Sequence, residues 1–204
     1  MNASMARVAG ITALLTLLVG CGSSPRNNHY LLTTGATHPP GGETPSLGIG
    51  PISVPEYLNR NGLVYAMQGN QLEVSSTERW AEPLQSGIKR VVSINLASGL
   101  DTQNIRYFPW DPKRPPAYGV RINVLSLDAG DEQASLAAEW RVNRPDTGDS
   151  VARRISNLQL QLPAGPLKPE QIAPAYSKLL EQLSELISAA IEQDLAAAER
   201  ADGS

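Results

Sequence analysis

The sequence predicts an α+β domain: a mixed, mostly antiparallel sheet with two helices packed on one face, one domain behind an amino-terminal segment of a different kind. Three observations carry this. Three runs between residues 120 and 162 alternate apolar and polar side chains with period two. Two stretches, one from Pro83 and one from Pro174, repeat apolar residues every three to four positions. The prolines concentrate at 37–51, 109–116 and 163–174, between the patterned stretches rather than through them.

In chain order, residues 29–33 read as a first strand and 34–46, TGATHPPGGETPS, as a loop. Residues 47–54, LGIGPISV, form a strand in which Pro51 marks an edge or a bulge. Residues 64–68 and 72–75 flank Gly-Asn-Gln and predict a hairpin. Pro83 suits a first helical position, and Leu84, Ile88, Val91, Val92, Leu96 and Leu100 follow at helical steps, with Gly99 near the stop.

Val120, Ile122 and Val124 alternate with Arg121 and Asn123. Leu136, Ala138, Trp140 and Val142 alternate with Glu139, Arg141 and Asn143, and Leu158, Leu160 and Leu162 alternate with Gln159 and Gln161. The joints DAGDE and PDTGD suit hairpins, so the three runs predict an antiparallel meander with one buried face. A final helix presents Tyr176, Leu179, Leu180, Leu183, Ile187, Ala190, Ile191 and Leu195 as one stripe. Lys178, Glu181, Glu185, Glu192 and Asp194 occupy its other side. The stripe fits a helix laid on a sheet; the competing use is contact with a partner subunit.

The amino terminus follows other rules. Residues 1–7 hold one basic residue, Arg7, and 8–19 are apolar apart from Gly10, Thr12 and Thr16. This is the layout of a secretory signal, too short to span a bilayer, which needs roughly 20 apolar residues. Leu18, Val19 and Gly20 precede Cys21, the single cysteine of the 204 residues, and this tetrad resembles the bacterial lipobox. There, signal peptidase II cuts before a cysteine carrying a diacylglyceryl group. Residues 1–20 are thus expected to be a signal peptide, 21–28 a lipidated tether and 29–200 the α+β domain. A tether of that length spans on the order of 15 Å. Gly22, in place of an aspartate, favours the outer membrane under enterobacterial-type sorting.

Composition narrows function. Cleavage would remove Arg7 and no acid, leaving a body more acidic than the net −3 of the whole chain. Such a body argues against nucleic acid as a partner, and without a polybasic stretch anchoring falls to acyl chains. A lone thiol closes no internal disulfide, and with only His29 and His38 beside it no zinc site is expected.

No catalytic constellation is evident: both histidines fall in the tether or the following loop, and no GxSxG, HExxH or P-loop pattern occurs. Gly48-Ile49-Gly50 lacks the third glycine of a dinucleotide fingerprint and reads as a strand bend. Asp131 and Glu132 fit a solvated hairpin. No cofactor or metal is implied. Trp80, just before the first helix, is placed either to brace the helix start or to meet a partner, with Glu82 complementing the helix dipole.

The run Ile49-Gly50-Pro51-Ile52-Ser53-Val54-Pro55-Glu56-Tyr57-Leu58-Asn59-Arg60 and the stretch Arg79-Trp80-Ala81-Glu82-Pro83-Leu84, with the lipobox and Tyr30-Leu31-Leu32, resemble the PqiC (YmbA) family of ABC-type transport auxiliary lipoproteins. The resemblance covers essentially the whole mature chain. It implies a non-enzymatic outer-membrane lipoprotein, facing the periplasm and working with an MCE-domain protein and its inner-membrane components, in some members as a homo-oligomeric ring. The family commonly has Arg-Pro-Gln-Ile where this chain has Arg60-Asn61-Gly62-Leu63. Tyr57, Leu58, Arg60, Arg79, Trp80 and Glu82 are the residues expected to meet a partner or to form a structural motif. The competing functions are a periplasmic lipid-binding carrier with an apolar pocket and a cell-envelope hydrolase.

Overall fold

The computed structural model describes residues 26–66 and 70–203. The signal peptide, the lipobox and Cys21 lie outside the described residues.

Among the described residues, eight strands and two long helices follow one another as β1 (Asn28–Tyr30), β2 (Leu47–Ser53), a 3-10 turn (Glu56–Leu58), β3 (Gly62–Ala66), β4 (Leu72–Trp80), α1 (Leu84–Gly99), β5 (Ile105–Tyr107), β6 (Tyr118–Ala129), β7 (Gln133–Asn143), β8 (Ser150–Gln161) and α2 (Pro169–Asp202). The architecture is α+β with mixed sheets, as the sequence predicts. The strands divide between two sheets: a small one in the order β1-β4-β3 and a larger one in the order β5-β2-β6-β7-β8.

The meander β6-β7-β8 is antiparallel throughout, while β2 runs parallel to both β5 and β6. Pro51 lies in β2, where the register against β6 shifts between Ile49 and Ile52. The proline therefore marks a bulge, and it lies beyond residues 47–49, the part of β2 that pairs with β5, so its missing N–H costs the sheet nothing on that side. The predicted hairpin is β3-β4, pairing Val64 with Val74, but β4 runs on to Trp80. Helix α1 begins one residue after Pro83, which occupies the cap position.

Both helices cover one face of the large sheet, α2 across β7 and β8 and α1 over β2. Val120, Ile122, Val124, Leu136, Ala138, Trp140 and Val142 meet Leu179, Leu183 and Ile187 in a single buried cluster. Each Val, Leu and Ile side chain among them contributes about 1.5–3 kcal/mol by leaving water. The helices approach closely at Gly99, where a Cβ would stand 2.9 Å from the Ser188 hydroxyl. Helix α2 holds Pro174 inside its first turns and, at 34 residues, extends about 50 Å. Among the described residues no helix is long and apolar enough to cross a membrane.

Candidate functional site: the entry strand and its clamp

The chain enters the described body at β1, whose parallel pairing lays Asn28, His29 and Tyr30 beside Glu78, Arg79 and Trp80 at the end of β4. A three-residue strand is weak alone, and side chains secure it. The Tyr30 hydroxyl donates to the Glu78 carboxylate at 2.6 Å, and the Asn28 amide donates to both Glu78 oxygens at 3.1 and 3.2 Å. Accepting first from Tyr30 holds the Glu78 carboxyl below its ordinary range, and the same bond, with burial, pushes the Tyr30 phenol up to about 12.

Just beyond, Ala81 donates its backbone N–H to the Tyr30 carbonyl at 2.8 Å. Arg90 of α1 bridges two segments, reaching the Leu32 carbonyl at 2.9 Å and the Glu82 carboxylate at 2.6 Å. Glu82 therefore does more than face the helix dipole: it fixes the guanidinium that grips the chain leaving β1. The stretch 79–84 thus works as a clamp on the entry strand.

Trp80 is buried, 8% exposed, and stacks on Tyr176 of α2. It braces β4 against the long helix, in the buried cluster that also holds Leu84 at the start of α1. Leu58 is also in the core, 2% exposed. Tyr57, on the 3-10 turn, is half-buried; its hydroxyl donates to Asp128 at 2.9 Å and accepts from the Leu127 backbone N–H at 3.3 Å. The Leu127 carbonyl in turn accepts from the Tyr176 hydroxyl at 3.1 Å. Burial first, then the bond to Asp128, pushes the Tyr57 phenol up to about 12. Tyr176 and Leu127 thereby connect Tyr57 to Trp80.

The two motifs also meet along the backbone, where Trp80 donates to the Asn61 carbonyl at 2.8 Å. Arg60 is exposed and its side chain pairs with no described residue, while half-exposed Arg79 folds back on the Ser76 carbonyl at 3.1 Å. These two arginines are the members of the set whose charged heads face solvent.

His29 and His38 are both exposed; the His38 ring bonds its neighbour Thr37, and the His38 carbonyl accepts from the Ser98 hydroxyl at 3.1 Å. Among the described residues, no three His, Cys, Asp or Glu side chains gather to hold a metal ion. A cleft of about 350 Å³ between α1, α2 and the loop after β1 is lined by Asn95, Ser188, Glu181, Glu185 and Glu192. Sequence reasoning placed Tyr176 in an apolar stripe but missed its hydroxyl's role. It also missed Arg144, whose salt bridge to Asp194 closes the far end of α2 at 2.7 Å. No local pattern marks either, because their partners are 49 and 50 residues away.

A small sheet that secures the first strand, beside a larger sheet covered by two helices, defines a class: an α+β domain with its entry strand built into the fold. The chain belongs to the ABC-type transport auxiliary lipoprotein family, whose model matches residues 30–188. It is 26% identical over 158 residues to the intermembrane transport lipoprotein PqiC of Escherichia coli K12, covering 74% of this chain and 82% of that one, and equally similar to PqiC of Shigella flexneri. The fold also resembles a solved Xanthomonas campestris protein, with a TM-score of 0.65 at 15% identity, covering 83% of this chain and 99% of that one.

Proposed function

We propose that the chain is an outer-membrane lipoprotein, attached through acyl chains on Cys21 after removal of residues 1–20, that docks a periplasm-spanning partner of an intermembrane lipid transport system. The observation that carries this is the clamp: β1 begins seven residues after Cys21 and is locked to Glu78, Trp80 and Arg90. A grip at this point transmits an anchor's position to the whole rigid body, and the transport family supplies the context in which such positioning matters. The expected partner is an MCE-domain protein with its inner-membrane components, and the working form is a homo-oligomeric ring.

The role is positional, without bond-making. Arg60 and Arg79, at the joint of the two motifs, are offered as contact residues; Tyr57, Leu58, Trp80 and Glu82 hold that joint in shape. Affinity purification of the full-length lipidated chain from cross-linked envelopes tests the proposal. Co-purification of an MCE-domain protein, in outer-membrane fractions on a density gradient, is the expected result. Its absence while the lipidated chain remains in those fractions overturns the docking role.

A further inference from the structure

The solvent face of the large sheet carries a row of like charges. Register sets Arg121 of β6 opposite Arg141 of β7, and Arg141 opposite Arg153 of β8. Neighbouring strands lie about 4.8 Å apart, so three arginines stand side by side within about 10 Å. Like charges directly opposite on adjacent strands are destabilising. The row also runs against the balance of a chain whose net charge is −3.

Its compensation within the molecule is partial. Arg153 pairs with Glu139 at 2.8 Å, whereas the Arg141 side chain pairs with no described residue. The Nε of Arg121 is buried and has no acceptor among the described residues. The Arg121 guanidinium lies 5.9 Å over the Phe108 ring, and Phe108 meets Trp110 edge-on at 5.2 Å. Trp110 covers β2 so closely that a Cβ at Gly48 would stand 2.8 Å from the indole, which fixes the aromatic pair on this face. Phe108 and Ile155 remain 48% and 64% exposed beside the row. Two grooves, of about 380 and 310 Å³, share Arg121 and Arg141.

Guanidinium forks match carboxylates in bidentate fashion, and Arg with aromatic side chains dominates the energetics of protein–protein contacts. A single anionic group engages one or two forks. Three forks in line, flanked by apolar side chains and fed by two grooves, suit carboxylates presented in series on a polypeptide. We propose that this face docks an acidic segment of a partner protein, with Asp or Glu carboxylates on Arg121, Arg141 and Arg153 and apolar side chains on Phe108 and Ile155. The assignment rests on the docking role proposed above and names the chemistry of its contact.

The test places p-benzoylphenylalanine at Ile155 or, separately, at Arg60 of the full-length lipidated chain in its native envelope. Irradiation at position 155 is expected to join the chain to a stretch of another protein rich in Asp and Glu, identified by mass spectrometry. The double substitution Arg121→Gln with Arg141→Gln is expected to lower the adduct yield about tenfold. An adduct on phospholipid, on a second copy of this chain or on a segment without acids overturns the assignment, as does a yield unmoved by the substitutions. If position 60 captures a spanning partner and position 155 does not, docking stands and this face is not its surface. Capture at neither position counts against both.

A second measurement needs no partner. In the purified chain Arg141→Gln is expected to raise Tm by about 2 °C, because it removes repulsion that only a bound acid offsets. A fall of that size makes the row a structural brace and overturns the proposal.

Discussion

Trp80, the last residue of β4, stacks on Tyr176 of α2 with ring centroids 6.2 Å apart and planes inclined by 27°. This pair ties the small sheet, which holds the entry strand, to the helix that covers the large one. Truncating a buried Trp costs about 3–5 kcal/mol, part transfer and part cavity. Trp80→Ala is therefore expected to destabilise by that amount in urea denaturation. Hydrogen exchange should show β1 opening first, since Tyr30 and Trp80 are register partners. Tyr176→Phe keeps the stack but leaves the buried Leu127 carbonyl without its donor, an expected loss of about 1 kcal/mol.

The phenols of Tyr30, Tyr57, Tyr65 and Tyr118 are each raised to about 12, and burial drives Tyr176 well above its usual value. A folded value above the unfolded one, about 10, means that the stabilisation is complete below pH 10 and is lost as pH rises through the folded value. The chain is thus expected to unfold cooperatively between about pH 10 and 12. In a Tyr107→Phe background, which removes the exposed sixth tyrosine, phenolate absorption should appear together with the loss of far-ultraviolet circular dichroism. Phenolate appearing ahead of unfolding would show the phenols to be exposed. Tyr57→Phe, which deprives Asp128 of a donor, is expected to cost about 1 kcal/mol at neutral pH.

What the sequence revealed, and what it hid, divides along contact range. The meander was legible because a half-buried antiparallel strand writes its two faces into alternate residues, and Trp140 and Val142 are indeed buried where Glu139 and Arg141 are not. Both helices were legible from their stripes. The short strand β5 was not, because three residues, Ile105 to Tyr107, cannot establish a period. The separation of β1, β3 and β4 into their own sheet was hidden as well, since β1 pairs with β4 across 50 positions. The candidate site shows the same division. Arg121 and Arg141 could be assigned an outward face, but their direct opposition to each other and to Arg153 depends on register. A register shift between Val124 and Ser126, invisible in the pattern, also separates the row from the hairpin end.

If Cys21 carries the anchor, Cys21→Ser, with residues 1–20 replaced by a secretory signal whose cleavage needs no cysteine, is expected to leave the body folded and move it from membrane to soluble envelope fractions. The reason is thermodynamic: each acyl methylene contributes about 0.8 kcal/mol of membrane affinity, and the net-acidic body offers no polybasic substitute. Fractionation followed by mass measurement of the mature amino terminus reads both outcomes. Unchanged membrane retention of the serine variant would place attachment elsewhere in the body.

Asp194 accepts from Arg144 at 2.7 Å and from the Tyr118 hydroxyl at 2.7 Å, which pins the far end of α2 to β6 and to the turn after β7. Burial works to raise its carboxyl, but the bonds from Arg144 and Tyr118 outweigh burial and hold it below the ordinary value. A depressed folded value means that the stabilisation is present above the unfolded value, about 3.9, and disappears as pH falls through the folded one. Arg144 is partly open to solvent, with its side chain 36% exposed, so screening limits the worth of the pair to about 1 kcal/mol. Asp194→Asn is accordingly expected to be less stable than the parent by about that amount at pH 7. The gap should close once pH drops below the depressed value, because the parent then carries a neutral carboxyl too. A gap that stayed constant from pH 7 down to pH 2 would assign the loss to packing around the amide rather than to the charge.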